Sequence, residues 1–293
     1  MNYIKFINLR ENTLKKFLKD KYISQRAYRN LIKGGILVND RPVNKNITLI
    51  ENDEIKIKIE DENLDYNPIK GHLNICYEDS NIIVLSKDSK LTVNSKKQEN
   101  LSNHLAYYFK ENNMRAKIRL VNRLDMDTSG LMIVAKNKFA QAYYQKQIEE
   151  NLIKKKYLTY VEGKLSIDEL IKINLSYDKN KKLYLKDKKG KEAITYFKTI
   201  EINDRYSLIE CDIKTGKTHQ IRASLKSLGH PIIGDTLYSS SLNTPRFLLH
   251  SYYLSFKEFI SQESILLRDY PDFKPFLMNL WKYLSCKKYG FIL

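Results

Sequence analysis

Asn122-Arg123-Leu124-Asp125-Met126-Asp127-Thr128-Ser129-Gly130, followed at once by the apolar run Leu131-Met132-Ile133-Val134-Ala135, decides the reading of this chain. An arginine stands two positions before a carboxylate, a glycine closes a turn, and the uninterrupted apolar residues predict a buried strand. A carboxylate held at that place is positioned rather than merely solvated. Simpler uses compete with this one. An Asp ahead of a Thr-Ser-Gly turn commonly accepts backbone N–H bonds, which is the role expected of Asp127. Ser129 does not fit a hydrolase nucleophile elbow, which needs glycine two residues to either side, where this chain has Asp127 and Leu131.

Outward from that stretch, composition sets the bounds. With 293 residues and 42% hydrophobic content the chain can bury a core, and its length fits one main domain with a smaller one. A net charge of +17, from 51 Lys and Arg against 34 Asp and Glu, favours a polyanionic partner, because each phosphate contacted releases condensed counterions. Cys76, Cys211 and Cys286 are far apart and form no C-x-x-C pair, so neither a zinc site nor a disulfide framework is indicated and a reducing cytoplasm is expected. Met1-Asn2-Tyr3-Ile4-Lys5 lacks an extended apolar leader, and no stretch approaches the ~18 apolar residues of a membrane span. His72, His104, His219, His230 and His250 show no metal-ligand spacing.

Upstream, Leu14, Phe17 and Leu18 repeat at helical spacing, and a second helix is expected from the cap Ser24 to Gly34. Ile36-Leu37-Val38, the turn pair Asn39-Asp40 and Pro42 read as a hairpin, followed by the alternating strand Ile55 to Ile59. Residues 10–60 thus form a small helix-helix-hairpin module. Arg26, Arg29 and Lys33 stand three and four apart on one face of the second helix, a face suited to a phosphate backbone; a plain solvated basic helix is the competing reading. The polar residues 61–71 are the expected linker. From 72 to 293 the pattern changes: a buried strand near Ile82 to Leu85, an amphipathic helix over Lys138 to Leu152, and strands at 157–161, 182–185, 194–199 and 206–213. Strands outnumber helices and mostly follow one another. The fold class expected is α+β on a mixed, largely antiparallel sheet.

Three further motifs share the chain with Asp125. Lys155-Lys156-Tyr157 opens a strand; Thr215-Gly216-Lys217-Thr218-His219-Gln220-Ile221-Arg222 runs from a turn into a helix expected to be capped by Thr218; and the chain continues with Leu228-Gly229-His230-Pro231-Ile232-Ile233-Gly234-Asp235-Thr236-Leu237-Tyr238 and Arg246-Phe247-Leu248-Leu249-His250. Gly216-Lys217-Thr218 imitates the end of a phosphate-binding loop, but Cys211 occupies the position of its first glycine. Taken in order, the motifs resemble those of the RluA/RluD-type RNA pseudouridine synthases over residues 72 to 260. Residues 10–60 similarly resemble the small RNA-binding domain, named after a ribosomal small-subunit protein, that is often attached to them.

The resemblance implies an isomerase that converts uridines in structured RNA to pseudouridine. It makes Asp125 the nucleophile, Arg222 its ion-pair partner, Tyr157 the group that faces the base, and Arg123 the residue that replaces the flipped base. Flipping a base out of its stack takes a few kcal/mol, so side chains must fill the gap. Isomerisation needs no redox partner, so no cofactor and no metal are expected. The expected partner is RNA, ribosomal in the first place with transfer RNA as the alternative, acting on a monomeric chain with no membrane. A non-catalytic RNA-binding or ribosome-assembly factor retaining the fold is the rival from another class. The chain departs from the family where relatives carry Lys-Pro-Ala-Gly and it has Lys87-Asp88-Ser89-Lys90, where Lys217 replaces Arg, and where Asn122 stands in place of the frequent His.

Overall fold

A computed structural model describes residues 2–95, 98–242, 244, 246–271 and 273. Expectations that fall on the rest, Cys286 and the last residues of the 72–293 domain among them, lie outside the described residues. The chain opens with β1 (Asn2–Ile7), β2 (Asn12–Thr13), α1 (Leu14–Asp20), α2 (Gln25–Leu31), β3 (Ile36–Val38), β4 (Arg41–Pro42), β5 (Thr48–Leu49) and β6 (Glu54–Ile59). It continues through β7 (Asn74–Glu78), β8 (Ile82–Lys87), α3 (Leu101–Glu111), β9 (Arg119–Leu120), β10 (Ser129–Ala135), α4 (Lys138–Glu149) and β11 (Lys154–Glu162). Last come β12 (Asp168–Asp178), β13 (Leu183–Lys186), β14 (Lys191–Ile202), β15 (Tyr206–Ile213), α5 (Gln220–Ser227), β16 (Leu249–Lys257) and β17 (Ser264–Arg268). None of the described helices is long and apolar enough to cross a membrane. These elements divide into two compact units, Met1–Asp127 with Leu131–Lys155 and Tyr253–Leu267, and Thr128–Gly130 with Lys156–Tyr252 and the chain from Arg268.

In the first unit, β1-β6-β3-β4 form an antiparallel sheet whose strand β1 pairs along its whole length with β6. β1 precedes the expected start of the module, and its Ile4 and Phe6 are buried while its odd-numbered positions face outward. The expected hairpin is present: Asn39 and Asp40 take φ of 50° and 63°, the left-handed values that a two-residue turn demands. Thr13 caps α1 and Ser24 caps α2, each accepting from the backbone N–H three residues on. α2 stops at Leu31, short of the expected Gly34, so Lys33 sits in the turn beyond the helix; Gly34 (φ 123°) then reverses the chain. β10, β8 and β7 lie side by side, with β9 on β10, and one core joins Phe6, Phe17 and Leu18 to Ile82, Leu131, Tyr143 and Phe259. The Phe6 and Phe259 rings meet edge-on at 5.2 Å, so the small module is packed against α4 and the chain after β16.

In the second unit the strand order is β13-β12-β14-β15-β11-β16-β10. The pairings along β13-β12-β14-β15-β11 are antiparallel, while β10 meets β16 in parallel through Ser129 and Gly130. The result is the mixed, largely antiparallel α+β class expected from the sequence. α5 packs over β12 and β14, closing a core of Ile173, Leu175, Ala193, Ala223 and Tyr238.

Candidate active site

Asp125 lies in the loop between β9 and β10, half-buried between exposed Arg123 and exposed Met126. The base of that loop is fixed by Asn122, whose Oδ1 accepts from the Ile133 N–H at 2.9 Å. Its far side is fixed by Lys87, at the end of β8 and only 1% exposed. The ammonium donates to the carbonyls of Asp88 (2.7 Å), Leu91 (2.8 Å) and Met126 (2.8 Å). Ser89 Oγ adds a bond to the carbonyl of Asp127 at 3.0 Å. The segment that departs from the family, Asp88-Ser89-Lys90, therefore takes part in holding the two residues that follow Asp125. The expected turn role of Asp127 is not the one found: among the described residues its carbonyl, not its carboxylate, carries the bond.

Immediately downstream, in the second unit, Thr128, Ser129 and Gly130 are buried. Ser129 Oγ accepts from Arg246 at 2.5 Å and lies 2.8 Å from His250 Nδ1, while His250 Nε2 reaches Asp269. Gly130 has φ 108°, and a Cβ there would come within 2.3 Å of the Ser251 carbonyl oxygen. Glycine is required because the two strands approach through bare backbone.

Tyr157 is buried on β11, opposite Cys211 of β15, whose thiol is pushed well up by burial. Burial also pushes the Lys155 ammonium, two residues earlier, below its ordinary range. Arg222, 6% exposed on α5, makes a forked bond to Asp235 through Nε (2.7 Å) and an Nη (2.9 Å). Its guanidinium is sandwiched by rings, 4.9 Å from the centre of Tyr238 and 4.6 Å from that of Phe247. Asp235 in turn caps the short turn Thr236–Tyr238. The expected cap Thr218 is not the cap of α5. His219 holds that place with φ 55° and no side-chain bond to the helix, and the lining-up is done by Gln220, which joins Thr215 and the Lys217 N–H to the backbone of Ile194 and to Thr195. His219 and His230 bond to the Tyr238 hydroxyl and the Glu162 carbonyl.

The first unit thus carries Asp125 and Arg123 on one loop, and Arg26, Arg29 and Lys33 exposed at α2 and the turn after it. The second carries Tyr157 and Arg222. Sequence reasoning missed Lys87, Ser89, Ser129, Asp235, Arg246 and His250 as positioning residues; only their membership of quoted motifs marked the last four. No group of three or more His, Cys, Asp or Glu suited to a metal ion occurs among the described residues.

The profile of the RNA pseudouridylate synthase family matches residues 81–227, half the chain, with Asp125, Tyr157 and Arg222 inside the match. The chain belongs to the RluA/RluD-type RNA pseudouridine synthases. It is similar to the ribosomal large subunit pseudouridine synthase D of Neisseria meningitidis (strain Z2491), at 32% identity over 86% of this chain and 72% of that one. The RNA pseudouridine synthase YhcT of Bacillus subtilis (strain 168) is 34% identical over 69% of this chain and 70% of its own length. Among solved structures, human RNA pseudouridylate synthase domain containing 1 superposes with a TM-score of 0.61 at 22% identity, covering 75% of this chain and 96% of that one, a likeness of fold. As an RNA pseudouridine synthase the chain is an isomerase, so the rival reading as a non-catalytic factor falls away.

Proposed function

We propose that this synthase isomerises specific uridines of structured large-subunit ribosomal RNA, with Asp125 as the nucleophile. In the reaction the bond from ribose C1′ to uracil N1 breaks, the base turns, and C1′ joins C5. The proton on C5 leaves, N1 gains one, and no electrons are exchanged. Asp125 is the nucleophile, with Arg222 as its ion-pair partner, Tyr157 stacks on the base, and Arg123 fills the gap left by the flipped uridine. Arg26, Arg29 and Lys33 contact phosphates. Neither metal nor cofactor takes part, so a chelator leaves activity unchanged.

The observation that supports this reading best is the pinning of the Asp125 loop by Lys87 and Ser89, which bond to the carbonyls of the next two residues. A carboxylate held in one place before substrate arrives is what nucleophilic catalysis requires. The choice of ribosomal RNA leans on relatives named ribosomal large subunit pseudouridine synthase D, which occur in Neisseria and in Borreliella burgdorferi. The test is release of tritium from uracil C5 in transcribed large-subunit ribosomal RNA, with transfer RNA transcripts in parallel. Release from the ribosomal transcript alone is expected, and release from transfer RNA alone would overturn the target.

A further inference from the structure

The outward face of α2 is one wall of a groove of about 530 Å³. Arg26, Asn30 and Lys33 line it from the small module, Lys58 and Glu60 from β6 and the residue after it, and Lys138 from the first turn of α4. Four cations therefore face one carboxylate. Lys138 Nζ is held by Glu60 at 2.6 Å, and the bond and charge of Lys138, with a smaller pull from Lys58, keep the Glu60 carboxyl below its ordinary range. Arg26, Lys33 and Lys58 form no direct ion pair among the described residues, Lys58 reaching Glu60 only by its longer-range charge. Surface cations left unpaired around a concave wall concentrate a positive potential there, which suits a polyanion more than a neutral or basic partner. Arg29, on the same helix, does not line the groove.

The walls have different origins. Lys138 lies inside the family-matched residues 81–227, whereas Arg26, Lys33 and Lys58 lie ahead of them. We propose that the groove is an RNA-backbone site in which the small module and the synthase fold grip one strand together, with Glu60 as the internal counter-charge that substrate phosphate displaces from Lys138. The proposal rests on the chain's action on RNA and adds where the RNA runs. A groove of this volume is of the size that ligand clefts have, enough for a short stretch of sugar-phosphate chain. Removing two phosphate contacts lowers the slope of log K against log salt by about 1.5, since each contributes roughly 0.7 to 0.9.

Binding of transcribed large-subunit ribosomal RNA to the full chain is measured across a salt series. The double variant Lys58→Ala/Lys138→Ala is expected to bind several-fold more weakly, with the slope reduced by about 1.5. Glu60→Gln, which removes the competing carboxylate, is expected to bind more tightly than wild type. Lys179→Ala/Lys181→Ala, the same loss of charge in the exposed turn between β12 and β13, is expected to keep the wild-type slope. An unchanged slope in the groove variant, an equal loss in the control pair, or Glu60→Gln binding no more tightly would each overturn the proposal. Tritium release by the wild-type chain is read separately. Its failure on every RNA would count against the catalytic roles proposed above and leave the salt comparison intact.

Discussion

Lys87 is a buried cation whose ammonium serves three backbone carbonyls, one of them on the residue after Asp125. Lys87→Met keeps the length and loses the donors, leaving those carbonyls short of a partner at a total cost on the order of 2–4 kcal/mol. We expect a lower urea midpoint and a fall in kcat larger than any rise in KM, because the loop that carries the nucleophile loosens. A kcat within twofold of wild type would show that the clamp is structural only. Asp235 makes a second case. With 1% of its side chain exposed against 7% for Arg222, the pair is shielded from solvent, and Asp235→Asn should cost on the order of 3 kcal/mol by leaving a guanidinium without this counter-charge. Denaturant unfolding checks it, and a loss below about 0.5 kcal/mol would contradict it. Asp125 was legible in the sequence as a candidate because its neighbours form a motif. Lys87 and Asp235 were not, because a bond to a carbonyl 39 residues away, or to an arginine 13 residues away beyond the end of α5, leaves no signature in residue type.

At the scale of elements, the close approach of β10 and β16 depends on the absence of a side chain at Gly130. Gly130→Ala meets the Ser251 carbonyl at 2.3 Å and adopts a φ that L-residues avoid, so the strands must separate. The expected loss is about 2 kcal/mol or more, seen as a lower Tm. An unchanged Tm would mean that the backbone there yields without cost. Elements with local signals were read correctly: the Asn39-Asp40 hairpin, the strand at β6, the amphipathic α4 and the strand at β15. β12 was not among the expected strands although Ile171, Ile173, Leu175 and Tyr177 alternate with Lys172, Asn174 and Ser176, the period of a half-buried strand. The cap of α5 was misread because a Thr before a helix is the ordinary signal, while here Gln220 bridges to β14 and His219 absorbs the turn in a left-handed conformation.

Stability and activity are properties of the whole molecule, and each has its own test. Burial raises the Tyr143 hydroxyl to about 12, against the bond it donates to Gln262 Oε1, which lowers it. The folded value lies above the ordinary 10.0, so this contribution to stability is complete below pH 10 and is lost as pH rises through about 12. We expect the urea midpoint to fall between pH 10 and 12, and more gently in Tyr143→Phe; an identical fall in both would contradict the assignment. The basic charge, the synthase fold and the order of motifs were all present in the sequence, whereas the groove beside α2 was not, since it needs α4, which begins 107 residues after α2 ends, to supply its second wall. The nucleophile is tested most directly by tritium release from uracil C5 in transcribed ribosomal RNA, with Asp125→Asn set beside Asp127→Asn. Asn is nearly isosteric and still forms hydrogen bonds, but its neutral amide cannot act as the nucleophile. The account predicts no release above background for Asp125→Asn with RNA affinity within a few fold of wild type, and most of the activity retained in Asp127→Asn. Near-normal release by Asp125→Asn, or an inactive Asp127→Asn, would contradict it.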